Sequence, residues 1–308
     1  MESDGHVPGC GPAKEGVSRP GRCRGSYSGR HLQGFIDNAM TLVVVGNSFL
    51  RGTDISAFWP NAPTFRFMKY CEFRQPAASG EGEGEFQRVT ADQNSWLTEI
   101  KRAGRRGLRL HHAPRPRQPT QSLDTPDRML VGFLGGGPRW LIGVIGDSQR
   151  ELWEGSQSLL DRNDPDRRIW GATYMRVGKV DPGSLQPVLL ADALSELRRV
   201  LPEIEAYANQ TGQKNFGQCF ADAQAALDHG GAMLASPPEQ DGRWTGIGLE
   251  HEALRRAIDH AWVFGGIGSW NDIGGSGERY DALSQRLFEA PNNAVCGLAN
   301  AGCAPLAG

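Results

Sequence analysis

From residue 190 onward the apolar side chains fall at Leu190, Leu194, Leu197, Leu201 and Ile204, alternately four and three residues apart, which is the rhythm of one buried helix face. Upstream of about residue 180 the rhythm is that of strands, with alternation and short apolar runs bounded by turn residues. A chain that places strands first and helices later does not wind into a regular βαβ array. The expected class is α+β, a mainly antiparallel sheet in the first half packed against a helical second half.

Residues 41–45 are a short apolar run closed by Gly46-Asn47 and read as a buried strand. Over 64–74, Phe65, Phe67, Cys71 and Phe73 alternate with Arg66, Tyr70, Glu72 and Arg74, the pattern of a half-buried strand. Residues 129–134 and 140–145, broken by Gly135-Gly136-Gly137-Pro138, read as a hairpin, and 151–159 with 168–177 as a second one across the turn-rich 161–166. Connections this short join antiparallel neighbours, because a parallel pair needs a crossover of a dozen residues or more. Residues 77–85 have the composition of a solvated loop, and 96–103 of a short helix.

In the second half Pro202 is expected to kink or split the first helix. A second helix carries Phe216, Phe220, Ala223 and Leu227 and stops at Gly230-Gly231. A third covers 249–264, and a fourth starts near Glu278 and ends before Pro291. Residues 236–248 read as a loop. The expected organisation is a disordered tail over 1–39, a sheet region over 40–180 and a helical region over 181–308, compatible with one continuous domain. The tail lacks the apolar core of a secretion signal, and order, with the native start, is expected at Met40.

The net charge of −2 and the pI near 6.4 give the molecule no field that gathers nucleic acid or anionic membrane, and neither is expected as a partner. No run reaches the length needed to span a bilayer. Six cysteines, at 10, 23, 71, 219, 296 and 303, include no C-x-x-C pair, so no structural metal is expected and the thiols are read as reduced. Only five of the 33 basic residues are lysine, which suggests GC-rich bacterial coding; the expected location is cytoplasmic. No nucleotide or other cofactor is expected, since Gly135-Gly136-Gly137 lacks both the Lys-Ser/Thr of a phosphate loop and the spacing of a dinucleotide fingerprint.

Val45-Gly46-Asn47-Ser48 places a serine just after an apolar run, and Ser269-Trp270-Asn271-Asp272 places an asparagine before an aspartate. Together these resemble the first and the Gly-x-Asn-Asp blocks of the SGNH ester hydrolases. The resemblance implies Ser48 as nucleophile, Asn271 as a holder of the oxyanion and, as base, His260. The chain departs from the family in that Gly268 stands one residue too far upstream and no histidine follows Asn271. Gly146-Asp147-Ser148 is similar to the same first block but falls between two hairpin strands, where a turn is expected.

Residues 101–117 carry seven cations and no acid, including Arg105, Arg106 and Arg109, with His111 and His112 among them. Three prolines, Pro114, Pro116 and Pro119, make a solvated loop the expected form. Contact with a polyanion through it would weaken steeply with salt. His251 and His260 lie on opposite sides of one helix and cannot share a metal. The glycine-rich segment 262–277 mixes aromatic and polar groups, and Ser269, Trp270, Asn271 and Asp272 are its candidate binding residues. The reading as a whole is a soluble, non-catalytic binding or accessory protein with a small-molecule or protein partner. The alternative is an ester hydrolase of the SGNH kind.

Overall fold

A computed structural model describes residues 30–56, 58–77, 86–116, 125–146, 150–180, 185–228, 249–274 and 277–303. It begins with helix α1 (Arg30–Leu50), followed by β1 (Met68–Pro76), β2 (Phe86–Thr90), α2 (Gln93–Arg102) and β3 (Gly107–Ala113). The short helix α3 (Asp127–Leu130) leads into β4 (Arg139–Ile145), β5 (Arg150–Leu159) and β6 (Trp170–Val180). Four helices close the chain: α4 (Leu190–Gln210), α5 (Lys214–Asp228), α6 (Leu249–Ala261) and α7 (Glu278–Asn300). Strands in the first half and helices in the second make this an α+β fold. None of the described helices is long and apolar enough to cross a membrane.

The six strands form one sheet in the order β2-β1-β6-β5-β4-β3. Four of its pairings are antiparallel and one, β1 with β6, is parallel. The pairing of β5 with β6 follows the expected hairpin. The partner of β4 on its other side is β3, not residues 129–134, which form α3 and the turn after it. Residues 101–113 likewise are not an extended loop, while 117 lies outside the described residues. They finish α2 and then run as β3, with Arg109 and His111 among its buried residues.

Helix α1 corrects the amino-terminal reading twice: residues 30–39 are helical, not a disordered tail, and 41–45 are the middle of the helix, not a strand. Residues 1–29 lie outside the described residues, as do 78–85, 147–149 and 229–248. The valines 43–45 cost a few tenths of a kcal/mol each in helix propensity. Burial of Phe35, Ile36, Ala39, Met40, Leu42 and Val43 on one stripe outweighs that. Gly46 lets the helix approach the sheet, since a Cβ there would lie 2.4 Å from Leu108 Cδ1 and 2.8 Å from Leu97 Cδ2.

The stripe joins a core that runs without interruption through the sheet to α7. At its centre Phe73 stacks on Trp96 at 4.3 Å and on Tyr174 at 5.1 Å, with Trp153 edge-on at 5.9 Å. Helices α4 and α7 pass through Pro202 and Pro291 instead of ending there. Each proline removes one backbone donor; Pro202 is on the exposed side of α4 and Pro291 is buried, and buried neighbours, Leu201 and Ile204 or Phe288, Ala290 and Ala294, hold the helix by their packing.

Strand β3 is an edge, and its outward backbone groups are closed by side-chain amides. Asn47 Nδ2 donates to Leu108 O at 3.0 Å and its Oδ1 accepts from Leu108 N at 2.8 Å. Asn300 treats Leu110 in the same way, at 2.9 and 2.7 Å. Two asparagines from α1 and α7 thus stand where a seventh strand would pair, so the edge is covered. Asn47→Leu leaves the buried Leu108 amide unpaired and is expected to cost about 1–3 kcal/mol in urea unfolding. A loss within 0.3 kcal/mol would mean the edge is solvated.

Candidate functional site

The start of β4 is where the sheet opens. The first β4 residue but one, Trp140, pairs with Gly155, and β5 runs on through Ser156–Leu159 with no β4 partner. Into that gap come Phe35 and Ile36 from α1, Val131, Leu134 and Pro138 from the turn before β4, and Trp262 from the end of α6. They wall a cleft of about 640 Å³, open mouth included. Its floor is Gly155–Gln157 of β5, of which Ser156 and Gln157 have no β4 partner and add polar side chains to the lining.

Three charged side chains stand at the rim, Arg115 and Glu154 in the lining and Arg139 beside Glu154. Arg139 and Glu154 form a two-pronged pair at 2.9 and 2.5 Å, which holds the Arg139 guanidinium above its ordinary pKa and neutralises both. Arg115 is different: it is exposed, and its Nε donates to Gly137 O at 3.2 Å. Its terminal nitrogens have no protein partner among the described residues. The cleft therefore joins aromatic and aliphatic walls to one cation with free donors. Such a site suits a ligand with an apolar body and an anionic end.

The residues expected to act together as a hydrolase are placed separately. Ser48 does not follow a strand; it lies inside α1, where its Oγ donates to Val44 O at 3.2 Å and receives Arg51 Nη2 at 3.3 Å. His260 is exposed in the last turn of α6. Asn271 spends its amide on Arg128, donating to the backbone oxygen at 2.7 Å and accepting from Nη1 at 3.3 Å. No hydrogen bond joins any two of the three. Two of the thiols are not available as nucleophiles: Cys71 and Cys296 are buried, and burial pushes both well above the ordinary thiol range.

The candidate binding loop is structural at its centre. Trp270 is fully buried, its Nε1 donates to Ser284 Oγ at 2.8 Å, and its backbone oxygen accepts from Tyr280 OH at 2.9 Å. The Asp272 carboxylate accepts from Gly268 N and Ser269 N, at 2.7 and 3.2 Å, and so fixes the turn; Ser269 itself is buried. Trp262, at the head of the same segment, is the part of it that reaches the cleft. Of the cationic run, Arg105 pairs with Glu151, Arg106 donates its backbone N–H to Ile145 O at 2.9 Å, and Arg109 is inside. Among the described residues, no group of three His, Cys, Asp or Glu side chains could hold a metal ion.

Phe35, Ile36, Trp140 and Glu154 carry the site and were not singled out in the sequence, whereas Arg115 belongs to the cationic run 101–117. Phe35 and Ile36 fall where composition reads as tail, and Trp140 sits in an apolar run that is legible only as core. A scan against protein-family models, a search of curated proteins and a search of solved structures each find no match to this chain.

Proposed function

We propose that this chain is a non-catalytic binding protein, and that the cleft at the start of β4 takes a small molecule with an apolar, partly aromatic body and an anionic end. The observation that carries this reading is the pairing of the Phe35–Trp140–Trp262 walls with the Arg115 guanidinium, whose terminal nitrogens have no protein partner among the described residues. A cytoplasmic bacterial setting belongs to the same proposal. The thiols of Cys71, Cys219, Cys296 and Cys303, none of which is in a disulfide, and the arginine-rich basic set support it.

Anilinonaphthalene sulfonate, an apolar aromatic anion, tests the reading. It is expected to bind at one equivalent with a saturable rise in fluorescence, displaced by aromatic carboxylates. Arg115→Ala and Leu134→Ala alter exposed side chains, at 56% exposure for Leu134, and leave the fold intact. Each is expected to weaken the dye about fivefold, one through lost charge and the other through lost apolar contact. Binding that is unsaturable, or that neither variant changes, would remove the cleft from consideration.

A further inference from the structure

Alternation along β3 sends Leu108 and Leu110 into the core and Arg109 and His111 to the opposite face of the sheet. The cross-strand partner of Arg109 is Gly143. A Cβ at Gly143 would lie 3.0 Å from Arg150 Cδ and 3.3 Å from His111 Nε2, so the bare glycine is what lets the Arg150 stem and the His111 ring meet over β4. All three side chains are out of solvent, with Arg109 at 6%, His111 at 5% and Arg150 at 1% exposure. The thiol of Cys303 borders the group, 2.9 Å from where a Cβ on Gly107 would stand.

The cluster has one sign. Arg150 Nη1 is held by Leu185 O at 2.6 Å, whereas Arg109 Nε, Arg109 Nη1 and His111 Nε2 are buried with no hydrogen-bond partner among the described residues. The two carboxylates of β5, the strand that carries Arg150, are committed elsewhere, Glu151 to Arg105 and Arg176 and Glu154 to Arg139. A buried guanidinium whose N–H groups are unmade is among the costliest arrangements in a protein interior, and chains retain one where an anion answers it. Burial and the two guanidiniums hold the His111 pKa at about 4, so at neutral pH its ring is uncharged and can donate through Nε2.

We propose that Arg109 and His111, in the field of Arg150, form a binding site for a tetrahedral oxyanion, inorganic phosphate or the phosphoryl group of a monoester. Donors reach it from β3 along two side chains. A tetrahedral anion accepts from several directions at once, where a planar carboxylate fills one guanidinium edge. The site lies on other residues than the cleft and does not depend on the reading given to it.

The test uses the full chain in phosphate-free buffer, titrated with inorganic phosphate at constant ionic strength and followed by melting temperature and by phosphorus-31 line width. Saturable broadening is expected, with a melting rise of about 5 °C at a hundredfold excess over Kd. Arg109→Met keeps the length of the side chain without the charge. It is expected to abolish both responses while melting no lower than the parent in the absence of phosphate, since the uncompensated charge is gone. Arg109→Lys, which keeps the charge but loses the fork, is expected to weaken the response about tenfold and decides the matter if the methionine variant does not fold. Arg115→Ala is expected to respond as the parent does. A parent that melts no higher in phosphate than in chloride, or an Arg109→Met variant that responds like the parent, overturns the proposal. Glycerol phosphate in a parallel titration separates the two sources: a response at least as strong as that to phosphate assigns the site to a monoester, and a weaker one to the free ion.

Discussion

Trp270→Ala is expected to destabilise the protein by about 3–5 kcal/mol in urea unfolding, a large share of the 5–15 kcal/mol that holds a typical domain. The indole is surrounded by Phe216 at 5.3 Å, Phe220 at 5.5 Å, Tyr280 at 5.9 Å and Tyr207 at 6.3 Å, contributed by α4, α5 and α7. Its removal opens a cavity at the point where the second-half helices meet, and it strands the Ser284 hydroxyl that now accepts from Nε1. Trp270→Phe fills most of the space and loses the donor, so a smaller cost of about 1–3 kcal/mol is expected. The pair of values separates two roles. A tryptophan that met a ligand from solvent would leave unfolding unchanged on truncation and lower affinity instead; a loss below 1 kcal/mol for the alanine variant would restore that role.

The four late helices are legible in the sequence because each is amphipathic and its apolar spacing is unbroken, as in Leu197, Leu201 and Ile204. Strands β5 and β6 are legible for a related reason, a turn-rich connection between two runs of strand composition. What fails locally is decided at a distance. Residues 41–45 have strand propensity and are helical because Gly46 allows α1 to lie against Leu97 and Leu108. Strand β3 is masked by cations that a loop would ordinarily hold, and nothing within 101–117 reveals that Asn47 and Asn300 will close its edge. Pro291 reads as a stop until its buried neighbours are known. The cleft was least visible of all, since it joins residues near 35, 134, 156 and 262 that no local period connects. Arg109 was visible as a cation but not as a buried one, which is the property that gives it chemistry.

Lowering the pH is expected to destabilise the protein between about 6.5 and 4 through His111. Its pKa in the folded chain is about 4 against 6.5 for the free group, with burial the largest cause, then Arg150, Arg109 and His112. His112 is shifted the same way by burial, opposed by its hydrogen bond to Asn293 and by Glu289 and Asp127. The sign follows from which state binds the proton. Below pH 6.5 the unfolded chain protonates His111 while the folded chain does not, so stability falls with pH until the folded group titrates near 4, where the loss levels off. A shift of this size corresponds to about 3 kcal/mol in all. Carboxylates contribute to any acid unfolding, so the measurement is the difference between the parent and His111→Gln in urea at pH 7, 6, 5 and 4.5. Glutamine cannot protonate in this window, and the two curves are expected to converge or cross as the parent loses its advantage. Curves that stay parallel would show His111 to be solvated and charged. Phosphate adds a second handle: an anion beside Arg109 offsets the repulsion that adds to burial in keeping the ring neutral, raises the folded pKa and makes the fall with pH shallower. The same titration in phosphate and in chloride thus reads the anion site through a group that does not depend on melting temperature, and a slope indifferent to phosphate would count against it.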